Sequence, residues 1–273
     1  MSLEKTMKML TKKIDNIILN MNSAKGRSIA FAIVFPNLLN IVISITIVII
    51  FHGIFEYTDL KLQIIANTIT FIVLFYIYIR TSKLLDSRHS EFSVKHLILI
   101  LSLGFVISIF GNAVNTALMK AFGFVEENLT VETILKASIP EALLLTCVCA
   151  PITEEIIFRG FVFKTINRYH GFLFSAIISS ILFGISHITP LSITFAFMCG
   201  IFLSYIYYLY GSILMCMILH MMINLSSLMI HYLIGSVPSL KEIYFIIFIC
   251  LALIIMITLR LHISCKNNIQ DNV

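Results

Sequence analysis

Residues 150–163 read APITEEIIFRGFVF, and they decide what kind of protein this is. The run is apolar enough for lipid, yet it carries Glu154, Glu155 and Arg159. A charged side chain at the centre of a bilayer costs about 2.5–3.5 kcal/mol on insertion scales, so such residues face a bundle interior or a cavity and mark function. The rest of the chain agrees with a membrane setting. It has 273 residues, 59% apolar and 12% charged, with a mean hydropathy of +1.00. A soluble domain is about half apolar and about a quarter charged, so the composition specifies an integral membrane protein.

Apolar stretches long enough to cross ~30 Å of hydrocarbon predict eight helices, at 28–51, 61–80, 97–119, 141–165, 171–188, 191–209, 211–231 and 242–262. The expected fold is an all-α, polytopic bundle of about eight transmembrane helices with a cavity inside the bilayer. No Gly/Ser linker, long charge run or internal repeat divides it, which predicts one domain. Residues 1–27 read as a basic amphipathic leader, 28–263 as the bundle, and 264–273 as a tail. In the leader Leu3, Met7, Leu10, Ile14, Ile18 and Met21 recur at helical spacing between lysines, as in a helix lying on an anionic leaflet.

Basic residues predict the orientation. Fourteen lie on one side of the predicted spans: Lys5, Lys8, Lys12, Lys13, Lys25, Arg27, Arg80, Lys83, Arg88, Lys95, Lys164, Arg168, Arg260 and Lys266. Four, namely Lys61, Lys120, Lys136 and Lys241, lie on the other, among Glu56, Asp59, Glu126, Glu127, Glu132, Glu141 and Glu242. The positive-inside rule then puts both termini in the cytoplasm. Tyr76, Tyr78, Tyr205, Tyr207, Tyr208 and Tyr210 sit at cytoplasmic helix ends, where an interfacial aromatic belt is expected. The net charge of +5 is accounted for by topology; no soluble basic face exists, so nucleic acid is excluded as a partner. Cys147, Cys149, Cys199, Cys216 and Cys250 fall within spans and Cys265 in the tail, which reads as free thiols in apolar surroundings. The sequon at Asn128 has meaning only in a eukaryotic secretory pathway.

Few ionisable groups lie deep: Glu154, Glu155, Arg159, His187 and His220, with Asn224 one turn after His220. His52, His96, His231 and His262 read as interfacial, and His89 and His170 as loop residues. At ~1.5 Å per residue from the turn near 169–171, the glutamates lie roughly 20 Å up and His187 roughly 24 Å; from the turn at 210–211, His220 lies roughly 14 Å up and Asn224 roughly 20 Å. Three helices thus bring polar groups to one layer. Glu155 and Arg159 are i and i+4 and share a face, as do His220 and Asn224. Glu154 is rotated by about 100° from Glu155, so one carboxylate is free for chemistry while the other pairs with Arg159. Carboxylate and histidine together suit hydrolysis, with a base for water and donors for an oxyanion. A transporter or proton relay, and a structural charge pair, are the competing readings.

Glu154-Glu155-x-x-x-Arg159, Phe183-x-x-x-His187 and His220-x-x-x-Asn224, in order on separate helices, resemble the signature of the CPBP family. That family joins the CAAX prenyl proteases of the Rce1 type with the bacteriocin-processing and immunity-associated Abi membrane proteins. The likeness covers roughly 140–230. It implies an intramembrane endopeptidase with a cavity open toward the cytosol, cutting near the cytoplasmic face. Glu154 with His187 would activate water, His220 and Asn224 would form the oxyanion site, and Glu155 and Arg159 would support them. A metal-free reaction is the expectation; a zinc held by Glu154, His187 and His220 is the alternative. The expected partners are the lipid bilayer and a peptide or membrane-protein substrate. That substrate is a prenylated C-terminal peptide, a bacteriocin or signalling-peptide leader, or another membrane protein. A non-catalytic modulator or immunity protein is the reading from a different class.

Overall fold

A computed structural model of the protein describes residues 24–55, 59–82, 93–123, 137–233 and 238–270. Eight helices fill them: α1 (Ala24–Phe55), α2 (Asp59–Ser82), α3 (Val94–Phe122), α4 (139–170), α5 (Phe172–Ile185), α6 (Pro190–Tyr210), α7 (Ile213–Leu233) and α8 (Leu240–Gln270). Among the described residues there is no strand, so the all-α polytopic bundle is the observed fold. The expected leader lies mostly within residues 1–23, outside the described residues, and the loop residues Lys83, Arg88, His89, Glu126, Glu127, Asn128 and Glu132 are outside them too.

The eight helices follow the predicted spans in order, but they are not equivalent. Six of them, α1, α2, α3, α6, α7 and α8, are long and apolar enough to cross a membrane. Helix α5 has only 14 residues and rises ~21 Å, well short of a ~30 Å hydrocarbon core. The span expected over 171–188 therefore ends early, at Ile185. Its stop is local chemistry. Thr189 is extended (φ −93°, ψ 151°), as a residue before proline prefers, and its hydroxyl accepts from Ser192 N at 3.2 Å to cap α6, with Pro190 opening that helix.

Helix α4 passes through the middle of the bundle, touching α1, α2, α5, α6 and α7. Every residue from Ile156 to Phe163 is buried, apolar side chains and glycine together with Arg159, which is paired inside the bundle. The helix is α-helical at Ile139–Leu143, Ala150–Glu155 and Lys164–His170, and wider π-helix at Leu144–Cys149 and Ile156–Phe163. Five-residue bonds mark the wide turns: Ala150 N–H donates to Leu145 O, and Lys164 N–H donates to Arg159 O. Such turns cluster at functional sites, and here they bracket the glutamate pair. Around α4, α3 packs on α7 and α8, and α5 runs along α6. Gly171 (φ 76°) makes the α4–α5 turn, a backbone angle that a side chain strains against.

Three sequence expectations need correction. Tyr207 and Tyr210 are buried, with Tyr207 edge-on to Phe163 and Tyr210 edge-on to His96, so only part of the tyrosine belt is interfacial. His96 is likewise buried; its Nε2 lies 2.8 Å from Ser264 Oγ, joining α3 to α8. Finally, α8 continues beyond 263 to Gln270, and Cys265 is buried in it rather than lying in a tail. All six cysteines are free.

Candidate active site

Glu155 and Arg159 sit on α4 with both side chains fully buried. Arg159 Nη1 donates to Glu155 Oε1 at 3.2 Å, the i, i+4 pair expected from spacing. Arg159 Nη2 donates to Gly200 O on α6 at 3.1 Å, and its guanidinium lies 4.8 Å from the Phe183 ring centroid. The close approach of α6 depends on Gly200. A Cβ there would meet Ser180 Cβ at 2.8 Å and Ser180 Cα at 3.0 Å.

The same Glu155 Oε1 lies 2.8 Å from His220 Nδ1 on α7. An ionised carboxylate only accepts, so Nδ1 carries the proton and Nε2 is turned the other way. Nε2 faces Glu154, whose Oε2 is 3.7 Å away. Glu154 is the exposed member of the pair, with 27% of its side chain accessible against 0% for Glu155. The two carboxylates therefore flank His220, one buried and paired with arginine, the other lining a cavity.

His187 lies not inside a helix but in the turn after α5. Its Nδ1 is 2.9 Å from Phe183 O. A carbonyl can only accept, so Nδ1 is the donor and Nε2 is left with a lone pair. Phe183 packs edge-on to both imidazoles, with centroids at 5.1 Å to His187 and 5.6 Å to His220. It had no assigned role in the sequence reading, yet it is the spacer between the two histidines and the face beneath Arg159.

Asn224 is anchored by the odd backbone of α4. Its Nδ2 donates to Thr146 O at 2.8 Å. In the π register that joins Ala150 to Leu145, the next bond would run from residue 151 to Thr146 O. Residue 151 is proline and has no N–H to give. The orphaned carbonyl is satisfied by Asn224 instead. This leaves the second amide hydrogen of Asn224 available to the cavity. Pro151 was the one sequence signal of that arrangement.

Glu154, His187, His220 and Asn224 all line one cavity of about 1060 Å³, together with Phe183 and Cys199. Glu155 and Arg159 stand behind it. The structure thus gathers the six sequence candidates into one site with two layers. For zinc, Glu154 Oε2 and His220 Nε2 lie near one another, but no group of three His, Cys, Asp or Glu side chains suited to a metal occurs among the described residues. The residues as placed do not make a three-ligand set.

Residues 136–226 match the model of a family described as type II CAAX prenyl endopeptidase, Rce1-like. Among curated proteins, the "Putative membrane peptidase YdiL" of Bacillus subtilis (strain 168) is 31% identical over 106 residues, 35% of this chain and 43% of that protein. The chain thus matches less than half the length of this relative. The family match begins just before α4 and ends within α7, so it contains the whole site. Over that segment the chain is similar to the Rce1-like family.

Proposed function

We propose that the protein is an intramembrane endopeptidase that hydrolyses a peptide bond with a water activated by Glu154. The observation that carries this reading is the flanking of His220 by two unequal carboxylates at the wall of a cavity. Glu154, with His187 Nε2 as second acceptor, would hold a water and take its proton as oxygen attacks the carbonyl carbon. The tetrahedral oxyanion would be met by Nε2–H of His220 in its imidazolium form and by the free amide hydrogen of Asn224, donors of a kind worth ~10²–10³ in rate. Glu154 would then pass its proton to the amide nitrogen as the C–N bond breaks, which returns the carboxylate. Glu155 and Arg159 position His220 rather than touch substrate. No step requires a metal. The reading also places both termini in the cytoplasm, and the excess of basic residues on one side of the spans supports it.

The test compares peptides from membranes of cells carrying the wild type with those carrying Glu154→Gln. Products present in the first and missing in the second are expected. Identical peptidomes at equal protein levels would overturn the reading.

A further inference from the structure

We infer that Asn112 receives a main-chain N–H of the substrate on its Oδ1, within two residues of the scissile bond. The segment bound there is then extended, and proline, which has no N–H, is rejected at that residue. The inference deepens the peptidase reading and rests on it.

Asn112 lies on α3 and lines the same cavity as Glu154, His220 and Asn224. Its carboxamide is anchored at the donor end. Nδ2 donates to Ser108 O of its own helix at 2.9 Å and to Ser227 Oγ on α7 at 3.1 Å. A carboxamide has two N–H hydrogens, so both are committed and the orientation of the group is fixed. Oδ1 accepts no bond from a described residue, and it is not shut away, since Asn112 is only half-buried. Asn115, on the next turn, is the contrast. Its Nδ2 donates to Leu191 O at 3.2 Å, but its Oδ1 is buried without a partner. The backbone beneath Asn112 is also held from two sides. The Phe195 ring of α6 presses on Gly111, in space that a Cβ would occupy. At Gly104 α7 comes close enough that a Cβ would meet Leu219 O at 3.1 Å.

Helix packing accounts for the donor end of Asn112 alone. Polar side chains bonded across membrane helices hold bundles together, and the Ser227 bond does that. Packing does not call for an acceptor turned to a cavity; a peptide main chain does. A membrane helix satisfies its own N–H groups. Hydrolysis needs the scissile carbonyl open to water and to oxyanion donors, so the segment at the site has left its helix. Its N–H groups then need acceptors, and Phe105 and Ile109 on the same α3 wall offer none from their side chains. The spacing agrees. Ser227 is three residues beyond Asn224, about 4.5 Å along α7, and an extended chain advances about 3.3 Å per residue. With the oxyanion at Asn224, an N–H one or two residues away falls beside Asn112.

The test measures binding to the purified full-length Glu154→Gln protein, which leaves the probes intact. The probes are a pool of capped, uncharged octapeptides of random sequence and the same pool with every amide nitrogen methylated. The readout is the preference for the first pool over the second, as a ratio of dissociation constants. Asn112→Ala should lower that preference about fivefold, the order expected for one hydrogen bond. Asn112→Asp, which keeps an oxygen acceptor in place, should retain most of it, and Ile109→Ala, on the same wall without a polar atom, should leave it unchanged. If Asn112→Ala accumulates poorly, Asn112→Thr replaces it. The new hydroxyl can bond Ser108 O as Thr116 Oγ1 bonds Asn112 O, while the cavity still loses its acceptor. A preference that survives the loss of Asn112, that falls equally with Ile109→Ala, or that is absent because neither pool binds, would overturn the inference. Cleavage of the unmethylated pool by the chain with Glu154 intact reads the peptidase assignment separately. Cleavage with an unaltered preference sinks only the role of Asn112; a lowered preference without cleavage sinks only the peptidase.

Discussion

Glu155 and His220 are 65 residues apart in sequence, yet Glu155 Oε1 lies 2.8 Å from His220 Nδ1, and the same oxygen accepts from Arg159. One buried carboxylate thus holds both the structural cation and the histidine that faces the cavity. Glu155→Ala should strip both of their partner. Leaving a buried arginine unpaired typically costs ~3–5 kcal/mol, so thermal unfolding should shift down markedly and cleavage should fail. Glu154→Gln, at the partly exposed carboxylate, should unfold close to the wild type and still lose cleavage. Equal stability of the two variants would refute the division of labour.

Asn224 carries two roles that a pair of substitutions should separate. Asn224→Ala should lose the oxyanion donor, about 10²–10³ in kcat, and should also orphan the Thr146 carbonyl, about 1–3 kcal/mol. Adding Pro151→Ala supplies an N–H at the position the π register points toward Thr146. The double variant should recover stability but not turnover, as read by thermal unfolding and single-turnover kinetics. Recovery of both would mean that Asn224 acts only as a cap.

That the six candidate residues would gather in one place was legible because charge and imidazole are rare in an apolar chain and helical spacing fixes which of them share a face. Glu155 with Arg159 follows from i, i+4 alone. What spacing could not supply was every contact made by backbone. Thr146 O and Gly200 O hold Asn224 and Arg159, and a carbonyl leaves no mark in a sequence. The bond from Glu155 to His220 was hidden too, because depth counting aligns layers but not rotations between helices. Periodicity overran the end of α5, since Ile188 continues the apolar pattern beyond Ile185, where the helix stops ahead of Thr189 and Pro190. His96 and Tyr210 were misplaced for a related reason: a helix end reads as interface by sequence, but α8 extends far enough to cover it, while Tyr207 is buried against Phe163 of α4.

Gly200 is the tightest test of how the second layer is held. A methyl at that position would press on Ser180 Cβ, Oγ and Cα at 2.8–3.0 Å, closer than van der Waals contact allows. Gly200→Ala should push α6 from α5 and carry the Gly200 carbonyl away from Arg159. Lower thermal stability and lower activity are expected together. Ser180→Gly in the same chain removes two of the three clashing atoms and should restore part of both. A Gly200→Ala protein as stable and active as the wild type would show that α6 does not set the position of Arg159.

Metal dependence decides between the two chemistries open to these residues. Zinc binds imidazole nitrogen at ~2.0–2.1 Å and carboxylate oxygen at ~2.0–2.2 Å, and a catalytic site takes three protein ligands. Glu154 and His220 would supply two of them, but His187 spends Nδ1 on Phe183 O and would have to present Nε2 from a turn rather than a rigid helix. In a metal-free site, purified protein should hold well under one zinc per chain and keep cutting after chelation. Asn224→Ala should then cripple turnover, and the metal content should not follow activity across Glu154, His187 and His220 variants. If chelation instead abolishes cleavage, added zinc restores it, and each of those three substitutions removes the metal, the water is activated by zinc. The peptidase assignment would survive that result; the role given to Glu154 as general base would not.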